Sequence, residues 1–124
     1  MSKVSKTISD IDHLCTEVIS CLEDNKGENI VQLSVSKLTT IADYFVIVTG
    51  NSSRHVRALA INAVRDLRDK GIKSLRMEGE DSGEWAVIDY GDIIIHVMQP
   101  EVRAFYDLES LWRPGSAHIA EKLQ

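Results

Sequence analysis

Four things are scarce in this chain, and each scarcity removes a class of protein. The first is uninterrupted apolar sequence: no run approaches the ~20 residues of a bilayer-spanning helix, so no membrane span is expected. The opening Met-Ser-Lys-Val-Ser-Lys-Thr has two lysines but no apolar stretch after them, which argues against a secretory leader. It also holds too little arginine for an organelle transit peptide. Cysteine is the second. Cys15 and Cys21 fall on one predicted helix, about 240° apart around its axis, and cannot bridge each other while it is intact. Their spacing fits neither a zinc site nor a redox motif, so buried free thiols in a reducing cytoplasm are expected. The third is positive charge. Lys plus Arg number 14 against 19 Asp plus Glu, a net charge of −5. A protein that grips phosphates shows a basic stripe. Little direct nucleic-acid binding is therefore expected, and a basic protein partner fits better. Proline is the fourth, and its two copies, Pro100 and Pro114, bracket one predicted helix.

What remains is ordinary globular material: 124 residues, 44% hydrophobic and 27% charged. That is one domain over 1–124, large enough to bury about two thirds of its unfolded surface, with a core over 8–112 and a tail from 113 to 124. Apolar residues at Ile8, Ile11, Leu14, Cys15, Val18, Ile19 and Leu22 predict a helix to Asn25, capped by Thr7 or Ser9 and ended by Gly27. Ile30 to Val35 reads as a strand, and Tyr44 to Thr49 as a central strand buried on both faces. After the turn Gly50-Asn51-Ser52-Ser53, a helix runs to Lys70 and stops at Gly71. Lys73 to Met77 is a short strand, Glu84 to Met98 a hairpin, and Glu101 to Trp112 a last helix with the stripe Val102, Phe105, Leu108, Leu111 and Trp112. This order predicts an α/β (α+β) architecture: a mixed sheet of about five strands with helices packed against it.

The hairpin carries most of the information. With a corner at Tyr90-Gly91, Val87 would face Ile94 and Trp85 would face His96. One side then presents Ala86, Ile88, Ile93, Ile95 and Val97, all aliphatic and suited to a core. The other presents Trp85, Val87, Asp89, Asp92, Ile94, His96 and Met98. That mixture is poor core material, and aromatics with methionine are enriched at protein interfaces. The plainer alternative is that Trp85 and Met98 pack beneath a helix, as in sheets covered on both faces.

Chemistry is harder to find. Thr49 to Arg57 joins a strand, a Gly-Ser turn and a helix N-terminus, so Ser52, Ser53 and Arg54 form a candidate anion corner with His55 as a proton donor. The alternative is a plain helix cap with solvated basic residues. No P-loop and no Gly-x-Ser-x-Gly is present, and His13, His55, His96 and His118 show no ligand spacing. No catalytic residue, metal or cofactor is assigned, and an enzyme is not expected. A nucleotide-binding or degenerate nucleotidyl-transfer role at Gly50 to Arg57 stands as the alternative function.

The segment Ala42-Asp43-Tyr44-Phe45-Val46-Ile47-Val48-Thr49-Gly50-Asn51-Ser52-Ser53-Arg54-His55-Val56 resembles the signature of the Iojap-like, ribosomal silencing factor family. Glu78-Gly79-Glu80, Trp85 to Asp92, His96-Val97-Met98-Gln99 and Phe105 to Trp112 match it as well, in the expected order. The resemblance implies a nucleotidyltransferase-like α/β domain without its metal-binding acids. It also implies binding to the large ribosomal subunit through ribosomal protein fourteen, which blocks subunit joining and represses translation when nutrients are scarce. By the same resemblance the contact lies on the hairpin, at Trp85 and at Tyr90, where an aliphatic residue is commoner. Residue reading and resemblance agree on one face. Trp85 is its anchor, Val87, Ile94, His96 and Met98 surround it, and Asp89, Asp92 and Glu84 are placed to meet basic groups. A homodimer through that face is a further expectation. The tail beyond Pro114 is longer than in many members.

Overall fold

A computed structural model describes residues 8–112. The Thr7 and Ser9 caps, His118 and the 113–124 tail lie outside the described residues and side chains. The chain runs α1 (Ile8–Asp24), β1 (Glu28–Ser34), β2 (Tyr44–Thr49), α2 (Ser53–Asp69), β3 (Arg76–Glu78), β4 (Trp85–Asp89), β5 (Ile93–Met98), α3 (Pro100–Tyr106) and α4 (Leu108–Leu111). The five strands form one sheet in the order β1-β2-β5-β4-β3. Only β2 and β5 pair in parallel, and the other three pairings are antiparallel. The mixed five-stranded sheet read from the pattern is the observed one.

Local chemistry explains the boundaries. Ser52 caps α2 by accepting the His55 N–H at 3.0 Å. At the other end the Ile72 and Gly71 N–H groups return to the Leu67 and Arg68 carbonyls, closing the helix with a Schellman motif. The last helix is broken where the pattern read it as continuous. Asp107 adopts a left-handed conformation (φ 48°, ψ 55°) and splits it into α3 and α4, which resets the helical phase. Phe105, expected on the buried stripe, is consequently 80% exposed, while Leu108 is buried.

The sheet has two unlike faces. On one, Val46, Val48, Ile93, Ile95, Val97, Ala86 and Ile88 pack beneath α1 and α2, against Val18, Leu22, Leu59, Ala63 and Leu67. Each such aliphatic side chain stabilises the fold by about 1.5–3 kcal/mol on full burial. Cys15 and Cys21 lie in this layer as free thiols, and burial pushes the Cys15 thiol up to about 11. On the other face α3 and α4 cover only one end. Leu108, Val102 and Trp112 pack there over Ile47 and Met98, and the β3–β4 side lies beyond them. No helix among the described residues is long and apolar enough to cross a membrane.

Candidate interaction surface on the hairpin

The β4–β5 hairpin turns one residue later than the sequence pattern suggested, which moves every cross-strand partner by two. Trp85 pairs with Met98, Val87 with His96 and Asp89 with Ile94. The Tyr90 N–H donates to the Ile93 carbonyl at 2.9 Å, so the corner is Gly91-Asp92. Gly91 takes φ 86°, the positive value that a two-residue hairpin turn demands at its first corner position. The Asp89 carboxylate accepts the Gly91 N–H at 2.7 Å and fixes that corner. Side chains alternate with period two, so a register moved by two residues leaves both faces intact.

Tyr90 is the casualty of the expected corner. It continues β4 on the helix-covered face, 8% exposed, and burial pushes its phenol up to about 12. It therefore offers no contact on the opposite side. Two further residues were expected at an open surface and are covered instead. Met98 is 0% exposed beneath Leu108, and His96 is 8% exposed against the Phe45 ring, with centroids 4.9 Å apart. The roof formed by α3 and α4 is the reason.

What stays accessible falls into two adjoining parts. The first is an aromatic ledge. Trp85, half-buried, lies 4.9 Å from the Tyr106 ring, and Tyr106 meets Phe105 edge-on at 5.0 Å. Tyr106 is 51% exposed. The Trp85 indole N–H donates to His96 Nδ1 at 3.1 Å, which ties the ledge to β5. Burial holds the imidazole well below its ordinary range, at about 4, so His96 is neutral at physiological pH. The second part is a groove of about 450 Å³ lined by Ile41, Arg76, Glu78, Val87, Asp89 and Ile94. Its floor is apolar, and its rim carries two carboxylates against one guanidinium. Arg76 Nε stands 3.6 Å from Asp89 Oδ2, a long and largely solvated pair that holds little energy. Asp92, half-buried, sits at the hairpin corner, and Glu84 is exposed just before β4.

Five contributors to this surface were missed from sequence: Ile41, Arg76, Glu78, Phe105 and Tyr106. One signal was available. Phe105 and Tyr106 are adjacent aromatics near the end of the last helix, and aromatics are enriched at protein interfaces. Arg103 was also missed. It is buried, donates to Thr49 Oγ1 at 2.8 Å, and pairs with Glu109 at 2.8 Å, pinning α3 to the end of β2.

The anion corner is brought together but is already engaged. Ser52 Oγ caps α2, and Ser53 Oγ accepts from Gln99 Nε2 at 3.1 Å. His55 Nδ1 accepts the Asn51 N–H, and its Nε2 faces the Asn25 carbonyl at 3.3 Å. Arg54 is exposed beside them. Among the described residues no group of three or more His, Cys, Asp or Glu side chains is placed to hold a metal.

Comparison with known proteins gives these features a setting. Residues 8–124 match the profile of a family described as ribosomal silencing factor during starvation. The ribosomal silencing factor of Chromobacterium violaceum is 42% identical over 103 residues, covering 83% of this chain and 84% of that one. A crystal structure of a Chromobacterium violaceum protein superposes with a TM-score of 0.79 at 42% identity, covering 82% of this chain and 85% of the other. A more distant relative from Mus musculus is named mitochondrial assembly of ribosomal large subunit protein 1. It is 34% identical over 106 residues, which are 83% of this chain but 45% of that protein.

Proposed function

We propose that this chain, which belongs to the ribosomal silencing factor family, docks on the large ribosomal subunit through the Trp85–Tyr106 ledge and the groove beside it. Its partner there is ribosomal protein fourteen, on the face that meets the small subunit. Bound in that place, the domain excludes the small subunit by volume and represses translation under nutrient limitation, a regulatory act that needs no catalytic residue. A ribosomal role puts the protein in the cytoplasm.

One observation carries the reading. A half-buried tryptophan packs at a tilt against an exposed tyrosine, beside an apolar groove with a mainly acidic rim. Anchors of this kind dominate interface energetics, and complementary charge steers association with a basic partner. Trp85, Val87, Asp89 and Ile94 make the direct contact, with Asp92 at its edge. His96 and Met98 support it from below, and Tyr90 holds the corner from the opposite face. The name of the mouse relative, which refers to the ribosomal large subunit, supports the same reading.

Co-sedimentation with purified large subunits tests this. Trp85→Glu keeps its fold, because the ring is partly solvated, yet abolishes co-sedimentation. A Trp85→Glu protein that sediments with large subunits like wild type overturns the assignment of the face. Light scattering over a range of concentrations shows whether a second copy of the chain competes for the same surface.

A further inference from the structure

We infer that His96 is the positioning residue of this surface: its bare Nδ1 accepts the Trp85 indole N–H and sets the ring in the orientation that docks. This inference rests on the docking reading above and adds how the anchor is held.

The geometry is specific. His96 pairs directly with Val87 on one side and with Ile47 on the other, so Trp85 is its diagonal neighbour across β4–β5. A diagonal neighbour lies about 7–8 Å away along the backbone, within reach of two aromatic side chains but of few others. The Trp85 Nε1 to His96 Nδ1 distance is 3.1 Å. A neutral imidazole that accepts at Nδ1 carries its proton on Nε2. That Nε2 is buried and has no hydrogen-bond partner among the described residues. An unsatisfied buried donor is costly and calls for an explanation. Here the explanation is the indole N–H, which holds Nδ1 as the acceptor and so leaves the proton on Nε2. Phe45, set edge-on at 4.9 Å, walls in the imidazole. The ring is thus fixed from below, and Trp85 is fixed by it. On its other side the indole meets Tyr106, which transmits the same orientation to the exposed ledge. Preorganising an anchor lowers the entropy lost on docking, so the bond acts on affinity although His96 is itself covered.

The test uses the full chain and two readouts. The first is the indole N–H resonance of Trp85 in the free protein, assigned with Trp85→Phe. The second is affinity for purified large subunits. His96→Phe keeps a ring but no acceptor, and His96→Leu serves in its place if phenylalanine does not fold. Either variant moves the resonance upfield, speeds its exchange with water, and weakens large-subunit binding about tenfold, the loss of one well-formed hydrogen bond. His96→Asn places an oxygen where Nδ1 stood and restores most of both signals. The inference is overturned if His96→Phe leaves the resonance or the affinity unchanged, or if folded His96→Asn behaves like His96→Phe. A Trp85→Ala protein that binds large subunits like wild type sinks the docking reading instead, whatever the indole resonance does.

Discussion

Burial of a neutral histidine leaves a mark on stability that can be calculated before it is measured. His96 sits on β5 among Phe45, Ile47, Val87 and Met98, none of them charged, and burial holds its proton affinity down at about 4 from an ordinary 6.5. In the unfolded chain the imidazole takes a proton as pH falls through about 6.5, whereas in the folded protein it resists until about 4. Between those values the unfolded state binds more protons, so stability rises with pH across the window and is lost on acidification. The full contribution is present above about pH 6.5. Roughly 2 kcal/mol of it has gone by about pH 5 and roughly 3 kcal/mol by about pH 4, since one proton bound only by the unfolded chain costs about 1.4 kcal/mol for each pH unit crossed. Guanidinium unfolding at several pH values gives the curve, and the same series on His96→Phe supplies the control. Carboxylates that titrate nearby in pH, Glu17 and Asp66 among them, act on both proteins and cancel in the difference. The gap between the two proteins therefore narrows, or changes sign, as pH falls, by about 2 kcal/mol between roughly pH 7.5 and 5. Parallel curves over that range would show an imidazole that titrates as if solvated, and would refute the buried, proton-free acceptor.

Three further outcomes follow from the packing. Gly79 and Gly91 both take φ near 85°, but a Cβ at Gly79 would drive into the Trp85 carbonyl oxygen, whereas at Gly91 the nearest foreign atom is Leu75 Cδ1 at 3.7 Å. Gly91→Ala should cost about 1 kcal/mol of backbone strain and Gly79→Ala about 3 kcal/mol or more, and equal thermal shifts would contradict this. Arg103→Leu strands the buried Thr49 hydroxyl and the partly solvated Glu109, at about 2 kcal/mol by denaturant titration. Adding Glu109→Leu should recover part of that loss, and no recovery would show that the pair is not the cause. Phe105→Ser should leave stability within about 0.5 kcal/mol because the ring is so exposed, yet weaken large-subunit co-sedimentation about tenfold or more. A stability loss as large as a core deletion would place that ring inside.

How far the fold could be read beforehand varies with the physics behind each element. β2 was legible to the residue because a strand buried on both faces must be apolar throughout, and Tyr44–Thr49 is. α2 was legible because Ser52, Gly71 and a clean three-four stripe all mark the same helix. The two hairpin faces survived an error in register, since side-chain alternation cares only about parity. Two things failed. The Tyr90-Gly91 corner was a local misreading, since a two-residue turn needs positive φ at its first position, which Gly91 adopts and a tyrosine resists, so Gly91-Asp92 is the better turn and the ladder follows it. The roof over Met98 could not be read because it depends on Asp107 entering a left-handed conformation that no neighbouring glycine announced. Of the candidate surface, Trp85, Val87, Asp89 and Ile94 came from alternation alone. Tyr106, Phe105, Ile41, Arg76 and Glu78 came from other segments that only the folded chain brings alongside.

The partial roof also explains why the surface is built where it is. A fully open β-face would expose Met98, Ile47 and Phe45 together, a contiguous apolar patch that invites aggregation in the unbound protein. A fully covered face would bury Trp85 and leave nothing to dock. By ending at Tyr106, α3 closes the apolar end and stops beside the indole, so the ledge stands at the junction of a packed core and an open groove. Trp85 is then held by His96 on one side and by Tyr106 on the other, while the rest of the ring stays available. An anchor held in this way loses little rotamer freedom on binding, and the surrounding groove needs only modest area to exclude water around it. Shortening α3 should therefore harm affinity and solubility together, whereas neutralising Glu78 or Asp89 should slow association and leave solubility unchanged.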